Sequence, residues 1–217
     1  MQHYKGFQRK DCESNISFDS SEKEGYQGEN LPESKPEQTQ SHSQSYTKTQ
    51  PQMSSQMQSN KLPTEDDYKF YQEALNEAKK GLSENGIPIG AVLVHKGQVI
   101  GRGHDRRIQN GSAIRHGEID CLENCGRQKP EVYRECTMYG TLSPCSMCAG
   151  ADVLFRIPRV VIGENQNFKG DEEFLRSRGI EVIVLNDKET IDMLRGFIEN
   201  NHECCEDIWA TCGKMTS

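Results

Sequence analysis

The sequence is most constrained by an abrupt change of composition near residue 62. Residues 1–62 contain no Val, Ala or Trp, and Gln and Ser supply 21 of these 62 positions. Such a segment buries too little apolar surface to offset an ordering cost of ~1–2 kcal/mol per residue. We therefore predict a disordered Gln/Ser-rich tail over residues 1–62 and one folded domain over residues 63–217.

Charge and hydropathy exclude several classes of protein. The net charge of -7 argues against a protein that works by binding nucleic-acid phosphates. No window approaches 18 consecutive apolar residues, and the first residues lack the apolar stretch of a secretory signal. We therefore expect a protein with no membrane span, located in the cytoplasm, with the nucleus as a second location. Nine cysteines, an odd number, then favour metal binding or catalysis over disulfides.

Residues 63–217 alternate between helical and extended patterns. A predicted N-cap at Thr64 opens an amphipathic helix that ends near Gly86. Further helices are expected at 116–125, 145–155, 172–178 and 188–199, and strands at 89–94, 98–101, 136–142, 160–162 and 181–185. An initial hairpin followed by alternating helices and strands predicts an α/β fold, a three-layer α/β/α sandwich around a five-stranded mixed sheet.

Two short segments carry the chemistry, each at the start of a predicted helix. The first contains His116 and Glu118, and the second contains Cys145 and Cys148 after Pro144. Cysteines three residues apart share a helix face, and the helix dipole favours their thiolates. With His116 they supply three zinc ligands and leave the fourth position open for water, the pattern of a catalytic site. Glu118 is then placed to act as the base.

Neither half of this pattern is informative alone, because isolated C-x-x-C and H-x-E motifs are common. H-x-E followed by P-C-x-x-C, with Cys145 lying 27 residues after Glu118, is far more specific. The combination is the signature of zinc-dependent nucleobase deaminases.

Further runs of sequence surround this motif: Ile87–Gly90, Gly101–His104, Leu122–Arg127, Ile157–Arg159, Gly163–Asn165, Asn167–Lys169 and Glu206–Ile208. With them, the chain from about Tyr68 to Ile208 resembles the yeast-type cytosine deaminases of the cytidine/deoxycytidylate deaminase superfamily. The resemblance implies a cytidine deaminase-like fold, a homodimer, one Zn²⁺ per subunit, and hydrolysis of the small molecule cytosine to uracil and ammonia in pyrimidine salvage.

The resemblance also implies roles for individual residues. It assigns His116, Cys145 and Cys148 to zinc, Glu118 to proton transfer, and Ile89, Asp105, Gly117, Leu142, Ser143, Phe168 and Asp207 to substrate binding. The N–H of Gly117 is implied to bind the pyrimidine carbonyl, and Asp207 to lie near the leaving amino group.

Two positions depart from the family pattern. Asp105 stands where the family has Asn, and an ionised carboxylate can only accept hydrogen bonds. It would suit a substrate with an N–H at that edge, unless Asp105 points into solvent. Cys204 and Cys205 replace an aromatic pair that closes the pocket. Three alternatives therefore stay open: a deaminase of another amino-heterocycle, a tRNA adenosine deaminase, and a catalytically weakened zinc scaffold.

Deleting residues 1–60 should leave the melting temperature and the zinc content of the protein unchanged, because this segment offers no apolar surface for a core. Thermal unfolding and metal analysis of the full-length and truncated chains are the measurements. A large fall in melting temperature on truncation would show that the tail is part of the fold.

Overall fold

The computed structural model describes residues 62–201, so the tail and the segment with Cys204, Cys205 and Asp207 lie outside it. Twelve helices and strands occur in the described part: α1 (Glu65–Ser83), β1 (Gly90–His95), β2 (Gln98–His104), α2 (Arg107–Asn110), α3 (Gly117–Cys125), α4 (Pro130–Tyr133), β3 (Cys136–Leu142), α5 (Ser146–Phe155), β4 (Arg159–Glu164), α6 (Glu172–Ser177), β5 (Glu181–Val184) and α7 (Lys188–Asn200). None of these helices combines the length and apolarity needed to span a membrane.

The five strands form one mixed sheet in the order β2-β1-β3-β4-β5. Strand β1 pairs antiparallel with both β2 and β3, whereas β3, β4 and β5 run parallel to one another. This confirms the predicted five-stranded mixed sheet.

Both faces of the sheet are buried, because successive side chains of a strand point to opposite faces. In β1, Ala91 and Leu93 pack in a cluster that also contains Cys121 of α3 and Ala149 of α5. Val92 instead packs in a second cluster with residues of α1. Helices therefore cover both faces, which confirms the three-layer architecture.

Two glycines allow helices to approach the sheet closely. A Cβ atom at Gly90 would overlap the backbone of α1 at Ala74 and Ala78, and one at Gly103 would overlap the backbone of α3 at Cys121. Both contacts hold strands β1 and β2 against the helices that flank the site described below.

The structure differs from the sequence prediction after residue 101, where the second strand was expected to end. Strand β2 continues to His104, because Arg102, Gly103 and His104 stay paired with β1. The short helix α2 then follows, and α4 is a second short helix that the apolar pattern did not indicate. Helices of four residues are too short to display a helical periodicity.

One buried carboxyl group in the described part lacks any stabilising partner. Asp152 lies on the inward face of α5, and neither of its carboxylate oxygens has a hydrogen-bond partner. Burial, together with the charge of Glu118, raises the pKa of Asp152 well above its usual value of 3.8. The unfolded chain ionises this group at lower pH than the folded chain does, so its contribution to stability becomes less favourable as pH rises above about 3.8.

Asp152→Leu should therefore increase the free energy of unfolding by about 1–3 kcal/mol at pH 7, because it removes a buried acceptor without a partner. The gain should be larger at pH 7 than at pH 4. Denaturant unfolding of the zinc-loaded protein at both pH values is the measurement. Asp192→Leu, on the exposed face of α7, is the control and should not increase stability at pH 7, because Asp192 forms ion pairs with Lys188 and Arg195. Equal or lower stability of the Asp152 variant at pH 7 would contradict the argument.

Candidate active site

Three segments distant in sequence meet at one edge of the sheet. Because β1 is antiparallel to its two neighbours, its first residues lie beside the last residues of β2 and β3. Ile89 precedes β1, Asp105 follows β2, and Ser143 follows β3. The Asp105 N–H donates to the Ile89 carbonyl at 2.8 Å, which joins two of these segments directly.

Two helix N-termini bring the candidate metal ligands together at this edge. His116 is the N-cap of α3, and Cys145 is the N-cap of α5, with no capping hydrogen bond from either side chain. Cys148 lies one turn into α5 on its buried face. All three side chains are buried, and their ligand atoms lie within 4.8 Å of one another.

The spacing of these atoms fits a tetrahedral zinc ion. His116 Nδ1 lies 3.5 Å from Cys145 Sγ and 3.7 Å from Cys148 Sγ, and the two sulfurs are 3.7 Å apart. Zinc bonds of ~2.3 Å to sulfur and ~2.0–2.1 Å to nitrogen at tetrahedral angles give S–S and S–N separations of about 3.8 and about 3.6 Å. The donor set of two thiols and one imidazole also suits zinc.

Metal binding to this cluster depends on the protonation state of its thiol groups. A hydrogen bond with Cys145, followed by burial, raises the pKa of the Cys148 thiol well above its usual range. Because zinc binds the thiolate form, binding must displace protons from the cluster.

Glu118 lies in the first turn of α3 beside the three ligand residues. Its side chain is buried, and that burial, followed by the charge of Cys145, raises the pKa of its carboxyl group. A carboxyl group with a raised pKa exchanges its proton closer to neutral pH, as a general acid–base catalyst requires.

A pocket opens between Glu118 and the ends of the strands. Its lining consists of Ile89, Asp105, Arg107, His116, Glu118, Leu142, Ser143, Cys145 and Phe168. Five of the seven substrate-binding residues implied by the resemblance are therefore on its wall. Gly117 is buried between the lining residues His116 and Glu118, and Asp207 lies outside the described residues.

Asp105 does not point into solvent, since it is 0% exposed and forms part of the pocket wall. Its carboxylate faces Arg107, which is 8% exposed. Arg107 donates its backbone N–H to Oδ1 at 3.0 Å, its Nε–H to both oxygens at 3.1 and 3.0 Å, and an Nη2–H to Oδ2 at 2.7 Å. The pocket therefore contains a buried ion pair, and the charge of Asp105 is compensated by a neighbour.

Two other buried carboxyl groups hold the pocket wall in position. Ser143 donates its hydroxyl to Glu172 at 3.0 Å and accepts from the Gly170 N–H at 3.0 Å. Glu164 accepts hydrogen bonds from the backbone of the segment just before Phe168 and from the Asn167 side chain. These contacts fix the segment that carries Phe168.

Sequence reasoning missed Arg107, Glu172 and Glu164. Arg107 carried a weak signal, because a cation two residues after an acid can fold back onto it. Glu172 carried none, because its partner Ser143 lies in a segment that only the fold brings near. Glu164 binds Gln166 and Asn167, two and three residues further along the chain, a local contact that the sequence reasoning overlooked.

Comparison with known proteins agrees with this geometry. Residues 64–164 match the family described as the cytidine and deoxycytidylate deaminase zinc-binding region. A cytosine deaminase from Candida albicans is 52% identical over 147 residues, which cover 67% of this chain and 98% of that protein. A tRNA-specific adenosine deaminase from Streptococcus pyogenes is 42% identical over 108 residues, covering 49% of this chain and 68% of that protein.

A structural relative supports the same assignment. A structure from a study of A-to-I editing by tRNA:A34 deaminases superposes with a TM-score of 0.50 at 27% identity, covering 58% of this chain and 99% of that chain. The resemblance inferred from the sequence is thus confirmed, and the cluster of His116, Cys145 and Cys148 falls within the matched zinc-binding region. The chain belongs to the zinc-dependent cytidine and deoxycytidylate deaminase family.

Proposed function

We propose that the protein hydrolyses the amino group of a free nucleobase, with cytosine as the first candidate, to give uracil and ammonia in pyrimidine salvage. The observation that carries this proposal is the meeting of the metal-ligand cluster, Glu118 and apolar walls in one pocket. The choice of cytosine is supported by the 52% identity to the Candida albicans cytosine deaminase over nearly the whole of that protein.

The residues of the pocket divide the chemical work. His116, Cys145 and Cys148 would hold a zinc ion, which would supply Lewis-acid activation of a water molecule. Glu118 takes a proton from the attacking water and transfers it to ring N3, which makes C4 more electrophilic. After water has added to C4, Glu118 takes the remaining proton of the new hydroxyl group and transfers it to the amine, which leaves as ammonia while the C4 carbonyl forms. One side chain therefore serves several proton transfers.

The other residues bind and orient the base. Ile89, Leu142 and Phe168 offer apolar surfaces for the ring and exclude water from the reacting atoms. The backbone N–H of Gly117 binds the pyrimidine carbonyl. Asp207, from the segment outside the described residues, lies near the leaving group in this proposal.

The proposal includes the organisation of the whole chain. Residues 63–217 form the deaminase domain, and residues 1–62 form a tail without a catalytic role.

Two copies associate through the outer face of α5, where Leu154 is 73% exposed and Met147 and Ala151 are half-buried. Burial of this apolar stripe in a dimer removes it from water. Sedimentation of the zinc-loaded protein at the mass of a single chain would contradict the dimer.

The cytoplasm, with the nucleus as a second location, remains the proposed site of action.

Deamination of adenosine in tRNA is the second candidate function. The relatives named tRNA-specific adenosine deaminases favour it, because one from Streptococcus pyogenes matches this chain at 42% identity over 108 residues. The net charge of -7 opposes it, since tRNA binding draws on basic surfaces. A tRNA anticodon arm as substrate distinguishes the two candidates.

Cys148→Ala should abolish zinc binding and lower the melting temperature together, because metal binding is coupled to folding of the site. Metal analysis and thermal unfolding of the purified variant are the measurements. Cys136→Ala is the matched control, since Cys136 is equally buried but lies outside the ligand cluster. It should keep its zinc. Full zinc content in the Cys148 variant would rule out the proposed ligand set.

Glu118→Ala should keep zinc and lose activity on cytosine by about 10⁴-fold or more, the upper end of general acid–base contributions. Ammonia release is measured from cytosine, 5-substituted cytosines, isocytosine, creatinine, guanine, adenosine and the anticodon arm. Glu123→Ala, on the exposed side of the same helix, is the control and should keep its activity. Retained activity within about tenfold would refute the role of Glu118. Ammonia release from the anticodon arm but from none of the bases would assign the second function.

A further inference from the structure

The pocket contains one feature that deamination itself does not require, the buried ion pair between Asp105 and Arg107. Both residues line the pocket, and both are nearly inaccessible to solvent. Burying two charges is costly, and apolar residues of similar size would serve the packing as well or better. A costly arrangement at the substrate wall suggests a role in recognition.

The hydrogen bonds from Arg107 leave the Asp105 carboxylate able to accept a hydrogen bond from the substrate. Three N–H groups of Arg107 donate to Asp105, with the Nε–H shared between the two oxygens. The Nε–H divides its hydrogen bond between Oδ1 and Oδ2, so it occupies neither direction fully, and a substrate N–H can share one of them. In its ion pair with Arg107, the Asp105 carboxylate accepts hydrogen bonds and offers no donor.

The place of this acceptor in the pocket is fixed by the backbone. The Asp105 N–H is bound to the carbonyl of Ile89, which is itself a lining residue. Arg107 begins α2 two residues after Asp105, and its side chain folds back onto the carboxylate. The carboxylate is thereby held in one orientation.

We propose that Asp105 is a specificity-determining residue that accepts a hydrogen bond from a ring N–H of the substrate, and that Arg107 is the positioning residue that holds this acceptor in one orientation. The inference rests on the proposed function and names the edge of the base that the pocket recognises. The pocket selects amino-heterocycles with a ring N–H beside the carbonyl and discriminates against those that present a carbonyl or an alkylated nitrogen at this position.

Cytosine and 1-methylcytosine are the probes, because they differ at one ring N–H. The readout is the ratio of kcat/KM for cytosine to kcat/KM for 1-methylcytosine. The wild-type enzyme should favour cytosine, and Asp105→Leu/Arg107→Met should lower the ratio by at least about tenfold, the lower end for a hydrogen bond to a charged group. This double variant keeps the volume of both side chains and removes both charges together, a replacement that buried ion pairs commonly tolerate.

Single variants separate positioning from packing. Arg107→Met leaves the carboxylate buried without its cation, and should lower kcat/KM for cytosine by at least about 30-fold, which corresponds to about 2 kcal/mol. Arg107→Lys retains the charge and should restore part of this loss. Arg102→Met is the matched control, since Arg102 forms an exposed ion pair with Glu73 at 2.7 Å on β2, and it should change neither activity nor ratio. Zinc content and melting temperature are measured for each variant.

Two results would overturn the inference. A zinc-loaded, folded double variant with a ratio within about twofold of wild type would show that Asp105 does not read a ring N–H. An Arg107→Met enzyme as active as Arg102→Met would remove the positioning role. If the wild-type enzyme releases no ammonia from cytosine, the proposed function fails and this inference fails with it. An active wild-type enzyme with an unchanged ratio defeats the inference alone.

Discussion

The antiparallel pairing of β1 with both of its neighbours is the constraint on which the site depends. In a sheet whose other strands are parallel, this pairing places the start of β1 at the same edge as the ends of β2 and β3. Helix α5 follows β3 and begins at that edge, where it meets the N-terminus of α3. The metal ligands therefore come from two helix N-termini, whose dipoles favour the thiolates and carboxylate gathered there.

Buried polar groups surround this centre, and almost all of them have partners. Glu172 and Glu164 fix the segments with Ser143 and Phe168, and Arg107 compensates Asp105. Satisfied networks of this kind make the shape of a pocket rigid, because each group would be costly to leave unpaired. Asp152 is the contrasting case in the described part of the chain, a buried carboxyl group without a hydrogen-bond partner. The pocket thus combines the metal-ligand cluster with a wall that contains one buried charged pair.

The sequence by itself determined the main helices and strands and the candidate metal-binding residues. Long amphipathic and apolar segments predicted the main helices and all five strands, because their periodicity reflects burial on one face or on both. The spacing within P-C-x-x-C and its combination with H-x-E predicted the ligand residues, because metal chemistry restricts which residue types can stand there. The fold class and the family both followed from these local patterns.

Only the tertiary structure decided what surrounds the centre. The extension of β2 to His104 depends on pairing with β1, and helices α2 and α4 are too short to show a periodicity. The compensation of Asp105 by Arg107 was equally hidden, because the sequence alone does not show whether a loop acid is buried. Whether a carboxylate meets solvent, a cation or a substrate is set by packing between distant segments, and local sequence carries little record of such contacts.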